Sequence, residues 1–161
     1  MRRQGLLLAW IATTALTSGC GPGATACPAI AQATAVSVTI TAGYAAQVGT
    51  LHLKACQDGN CKEGDLELRA GTAPADQGCN PEGACSATAS PDGTRVGTLM
   101  LDTLTESAMT VTATGTGADG SALPVRTLRF QPRAVHPFGE QCGKFLTAAV
   151  TLDSAGLRES A

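Results

Sequence analysis

Seven cysteines are the residues in this chain best placed to do chemistry, and their spacing sorts them into three roles. Cys56 and Cys61 are close neighbours, as are Cys79 and Cys85, while Cys20, Cys27 and Cys142 stand apart. Four thiolates from Cys56, Cys61, Cys79 and Cys85 would suit a zinc ion. The gaps of four and five residues within the two pairs are, however, at or beyond the usual two to four of structural zinc sites. A C-x-x-C redox motif is missing as well. Oxidation to disulfides is the reading that fits an exported chain. Six cysteines besides Cys20 allow 15 pairings. The preferred set joins Cys56 with Cys61, Cys79 with Cys85, and Cys27 with Cys142, because Asp58-Gly59 is a turn signal between the first two thiols.

Other candidates for catalysis or ligation are few. There are two histidines, His52 and His136, and no G-x-S-x-G or H-E-x-x-H pattern to organise them. His52 falls on the solvent side of an alternating stretch, and His136 sits in a turn between Val135 and Pro137. Asp58, Asn60, Glu63 and Asp65 crowd one hairpin. Lys62 and Glu63 occupy positions where an EF-hand loop wants an oxygen ligand and a glycine, so a solvated acidic turn is expected. Arg126, Arg129 and Arg133 would greet an anionic partner or defend a strand edge with charge. The expectation is therefore no catalytic residue, no metal and no cofactor.

The remaining cysteine has a different setting. Arg2 and Arg3 precede an apolar run from Leu6 to Leu16, followed by Thr17-Ser18-Gly19-Cys20, the three-part plan of a secretory signal. The run is shorter than the roughly 20 residues that cross a bilayer as a helix. Its end resembles a bacterial lipobox, which implies cleavage before Cys20 and diacylglycerol on its sulfur, with the lipid bilayer as the anchoring partner. On this reading 1–19 is a cleaved signal peptide and 20–33 is a Gly-, Pro-, Ala- and Thr-rich lipidated tether. A single domain follows over 34–155, with a C-terminal tail at 156–161.

Removing the leader takes two of the 11 basic and none of the 13 acidic residues, leaving 9 − 13 = −4. A surface of that sign does not seek nucleic acid or anionic lipid by charge alone. Aromatics are scarce, with Tyr44, Phe130, Phe138 and Phe145 after the leader. A stacking platform for sugars or single-stranded nucleic acid is therefore not expected.

The elements that must position these residues read as strands. Period-two patterns run through Val36-Val38-Ile40, through Val48–Cys56 with Leu51, Leu53 and Ala55 on one face, and through Leu66-Leu68. Arg95–Leu101, Ala108–Thr114, Leu123–Phe130 and Phe145–Leu152 repeat the habit. Residues 70–94, rich in Gly and Pro, are expected to form a long disulfide-tied loop without strands. Gly115 to Gly120 marks a hairpin turn. The expectation is an all-β fold, an antiparallel β-sandwich of about seven strands, Ig-like or transthyretin-like, braced by disulfides.

Taken together, the lipobox, Cys27-Pro28, the cysteine-bearing hairpin, Cys85-Ser86-Ala87 and the stretch Pro132-Arg133-Ala134-Val135-His136-Pro137-Phe138-Gly139-Glu140-Gln141-Cys142 resemble uncharacterised small secreted lipoproteins of high-GC Gram-positive bacteria. The resemblance covers most of the chain after the leader. Phe138 departs from the pattern, where a small polar residue such as Asn is expected. What it implies is a β-sandwich on the outer, extracytoplasmic face of the cell membrane, retained or shed, with no activity to carry over. The leading expectation is a non-enzymatic module that binds a protein or small ligand. The alternatives are a structural accessory of the envelope and an envelope enzyme working through His52 or His136.

Overall fold

Alternation between buried and exposed side chains builds the strands that pack. The computed structural model describes residues 26–160, so Cys20 and the leader at 1–19 lie outside the described residues. In β1 (Ala35–Ile40) the side chains of Val36, Val38 and Ile40 are fully buried and Ser37 faces water. A four-residue helix, α1 (Ala42–Ala45), leads into β2 (Val48–Gln57), where Leu51, Leu53 and Ala55 point inward. Then come β3 (Asn60–Asp65), β4 (Arg69–Cys79), β5 (Cys85–Met100), β6 (Met109–Gly117), β7 (Arg126–Phe130), β8 (Arg133–Val135), a 3-10 turn (Glu140–Cys142), β9 (Phe145–Asp153) and β10 (Gly156–Glu159).

These strands form two sheets that pack face to face around one aliphatic core. The first runs β10-β9-β1-β5-β4, with β8 also paired to β9; the second runs β3-β2-β6-β7. Val36, Val38, Ile40, Val150 and Leu152 from the first sheet meet Leu51, Leu53, Met109, Val111 and Phe130 from the second. Each large side chain so buried removes enough apolar surface to contribute about 1.5–3 kcal/mol. The fold is thus all-β, with two mainly antiparallel sheets and three disulfides.

Five expectations are corrected. Ten strands stand among the described residues rather than about seven. The sheets are not wholly antiparallel, because β1 and β9 run parallel, with Val36 opposite Ala148 and Ile40 opposite Leu152. The strand sought at Leu66-Leu68 lies just upstream, at Asn60–Asp65; Leu66 is buried where the chain leaves β3. Residues 70–94 are not a loop but most of the β4–β5 hairpin, and residues 156–159 of the terminal stretch form a strand against β9.

That hairpin is the most unusual element. Ile40 at the end of β1 lies opposite Arg95, and from there the two strands continue alone, Thr72 opposite Pro91 out to Cys79 opposite Cys85. No side chain from Thr72 to Thr94 is buried. At about 3.3 Å per residue the ribbon projects roughly 30 Å beyond β1. A two-stranded ribbon is marginally stable by itself, and the Cys79–Cys85 bond closes its tip.

The other two bonds join Cys56 to Cys61 across the β2–β3 turn and Cys27 to Cys142 over a sequence separation of 115. At the β2–β3 turn Asp58 and Gly59 both have positive φ, 50° and 80°, the geometry of a type I′ reversal. Three further turns use an aspartate in one way. Asp92 accepts the backbone N–H and hydroxyl of Thr94, Asp119 those of Ser121, and Asp153 the N–H groups of Ala155 and Gly156. These donors favour the ionised carboxylate, and all three carboxyls are held below their usual range.

Candidate functional site

The end of the sandwich where β1 and β9 begin brings together the Cys27–Cys142 bond and the rings of Phe138 and Phe145. Cys27 is bonded there to Cys142 in the 3-10 turn, with Cα atoms 5.2 Å apart. Five residues later the Gln32 side chain docks on the start of β9: its amide N–H donates to the Leu146 carbonyl, and its oxygen accepts the Leu146 N–H at 3.0 Å. The segment before β1 is thus pinned at two points. Ile30, between the pins, is 57 % exposed. Phe138 and Phe145 stack edge to face with ring centroids 6.0 Å apart, a geometry that matches the positive edge of one ring to the negative face of the other. Both rings are only partly covered. Lys144, between Cys142 and Phe145, is ion-paired with Glu106.

The histidines are not brought together. His52 lies on the outer face of the second sheet, its Nδ1 2.8 Å from Asp65 Oδ1, and Thr114 is its cross-strand neighbour on β6. A His–Asp pair beside a hydroxyl carries the residue types of a nucleophile, base and orienter. Here no hydrogen bond links His52 to Thr114, and Asp65 is 91 % exposed. A pair so open to water is worth little. His136 lies in the turn after β8, exposed, where its carbonyl accepts the Gly139 N–H.

The acidic hairpin is divided among separate partners. Asp58 accepts the Thr105 hydroxyl, Glu63 pairs with Lys54 at 3.3 Å, and Asp65 holds His52. No group of three or more His, Cys, Asp or Glu among the described residues is placed to hold a metal ion. The four thiols weighed as a zinc set are consumed in two disulfides in different sheets.

The arginine group also disperses. Arg126 donates to the Ser154 carbonyl, and Arg133 pairs with Glu159 at 3.3 Å, tying β8 to β10 along the same edge. Arg129 remains exposed on β7. These contacts serve the sheet edge, as charge on an edge strand commonly does.

A shallow hollow of about 360 Å³ at the opposite end escaped the sequence reading. Tyr44 and Gln47 line it from the α1 side, and Asp119, Ser121 and Leu123 from the β6–β7 turn. The Asp119 carboxylate is already spent on Ser121. The signal that could have marked the place is Tyr44, the one tyrosine in the chain.

No protein-family model, curated protein or solved structure matches this chain.

Proposed function

We propose that the protein is an exported lipoprotein, held on the outer face of the cell membrane by diacylglycerol on Cys20, and that its β-sandwich is a non-enzymatic binding module. The observation that carries this reading is the use of the cysteines. Six of seven are spent in three intramolecular bonds, so 7 − 6 leaves Cys20, the one at the end of the lipobox-like stretch. Three disulfides belong to an oxidising compartment. Two or three acyl chains would hold the domain firmly, since each buried methylene contributes about 0.8 kcal/mol.

The binding role draws support from the arm. A ribbon that buries nothing is costly to keep unless it meets something, and this one is covalently closed at its tip. Within the sandwich class we favour the transthyretin-like over the Ig-like form. In the immunoglobulin plan the first two strands are neighbours in one sheet, whereas β1 and β2 here belong to different sheets.

The test is fractionation of the producing cells. Wild-type protein is expected in the membrane fraction and a Cys20→Ala variant in the soluble exported fraction. The same distribution for both would overturn the anchor. Reproducible recovery of one envelope protein after mild cross-linking, lost when residues 72–91 are replaced by a short turn, would support the binding module.

A further inference from the structure

We infer that the sandwich stands on the bilayer through the end that carries Ile30, Phe138 and Phe145, and that these side chains enter the lipid interface while the β4–β5 arm points away from the membrane. The inference rests on the proposed lipid at Cys20 and adds an orientation and a contact surface to it.

Chain length sets the first constraint. From Cys20 to Cys27 there are 27 − 20 = 7 residue steps, which reach at most about 25 Å when fully extended. A domain of this size is roughly 35 Å across, before the arm is counted. Cys27 is not at a free end: its bond to Cys142 fixes it to the body. The Cys27–Cys142 end is therefore the part of the domain that a lipid on Cys20 holds nearest the bilayer. Without that bond the tether would extend to the Gln32 pin or to β1 and would no longer choose an end so narrowly.

Composition sets the second. After the leader the chain has four aromatic residues, and two of them, Phe138 and Phe145, lie at this end, partly exposed and packed on each other. Ile30, one of few large apolar side chains in the described residues with more than half its surface in water, stands between the two pins of the same segment. Phenylalanine and isoleucine gain by moving out of water into the headgroup–acyl boundary, a depth of about 5–10 Å. Of the charges at this end, Lys144 and Glu106 neutralise each other, and the exposed Glu140 carboxylate in the 3-10 turn has to stay in the aqueous headgroup layer.

Strand direction sets the third. β1 and β9 both start at this end and run parallel away from it. β5 is antiparallel to β1, and the ribbon begins where Ile40 meets Arg95, at the far end of β1. The arm tip at Cys79–Cys85 thus lies on the opposite side of the domain from Cys27–Cys142.

The experiment uses the full lipoprotein, purified from its membrane and reconstituted into phosphatidylcholine vesicles whose acyl chains carry bromine. The sole tryptophan of the sequence is Trp10, in the leader, so Phe138→Trp, Ile30→Trp and Glu82→Trp each place one fluorophore, the last at the arm tip. Phe138→Trp and Ile30→Trp are expected to shift to the blue and lose most of their emission, while Glu82→Trp keeps nearly all of its own. Equal emission from foot and tip variants, or quenching of Glu82→Trp instead, would overturn the orientation. Ile30→Trp sits at an exposed position and keeps the test decisive if Phe138→Trp fails to fold. Intact mass of the same preparations separates the two levels. A mass without acyl chains defeats the lipoprotein reading itself, whereas acylated protein with an unquenched foot defeats only this inference.

Discussion

Cys27 and Cys142, separated by 115 positions in the chain, hold their Cα atoms 5.2 Å apart and so fasten the segment before β1 to the turn before β9. β1 and β9 are parallel neighbours at the centre of the first sheet, and they cannot be joined by a short turn. The bond sits at the shared start of this pair and closes the loop that contains almost the whole domain.

Loss of that bond is expected to hurt folding most. In the chain-entropy picture a loop of this length contributes about 5 kcal/mol, against about 2 for the short Cys56–Cys61 loop. Urea denaturation of the double variant Cys27→Ser, Cys142→Ser should show the larger drop. A Cys56→Ser, Cys61→Ser variant of equal or lower stability would contradict the ordering.

The arm should behave in the opposite way. Removing the Cys79–Cys85 bond with two serines takes the closure from a ribbon that has no buried side chain. Faster amide exchange is expected from residue 72 to 91, with protection of β1, β2, β6 and β9 unchanged, since the ribbon opens separately from the core.

The core has a sharp edge between adjacent residues of β2. Leu53 is fully buried and Lys54 is exposed beside Glu63. Leu53→Ala should cost about 3–5 kcal/mol by leaving a cavity, and Lys54→Ala less than about 0.5 kcal/mol. Parallel thermal melts read both.

Close strand approach makes a glycine necessary at the β2–β6 bulge. A Cβ on Gly115 would lie 2.1 Å from the Thr50 carbonyl oxygen, a backbone atom that cannot swing aside. Gly115→Ala is expected to cost about 1–3 kcal/mol through the forced backbone shift. An unchanged melting temperature would mean that β2 yields at its bulge between Val48 and Thr50.

Acid should loosen the aspartate turns. The pKa values of Asp92 and Asp119 are lowered by the hydroxyl and N–H groups of Thr94 and Ser121, and that of Asp153 by the N–H groups of Gly156 and Ala155. A carboxyl with a depressed folded-state pKa stabilises fully above its unfolded value and loses that stabilisation as pH falls through the folded one. The loss therefore begins near the ordinary aspartate value of about 3.9 and continues below it. Asp153→Asn should flatten part of the decline in melting temperature over that acid range.

How far the sequence disclosed this arrangement depends on whether an element has one buried face. Val36-Val38-Ile40 and Leu51-Leu53-Ala55 alternate because one side meets the core, and their strands are legible. The ribbon from Thr72 to Pro91 faces water on both sides, so its Ala, Gly, Ser, Thr and Pro carry no contrast and read as loop. The parallel register of β1 and β9 is set by contacts more than a hundred positions apart and leaves no local mark. At β3 the apolar signal of the buried Leu66 lies downstream of the strand, which itself is a polar edge of Asn60, Lys62, Glu63 and Asp65. Of the candidate site, the cysteines were legible by type and spacing. The convergence of Ile30, Phe138 and Phe145 was not, because it depends on the Cys27–Cys142 bond and the Gln32 contacts with Leu146.

The measurement that bears most directly on the lipoprotein reading is the intact mass of the mature protein taken from its native membrane, before and after reduction. The account predicts a chain beginning at Cys20, heavier by diacylglycerol with or without a further acyl group, and a gain of six hydrogens when the three disulfides open. A chain that begins elsewhere, carries no lipid, or takes up fewer hydrogens would contradict it.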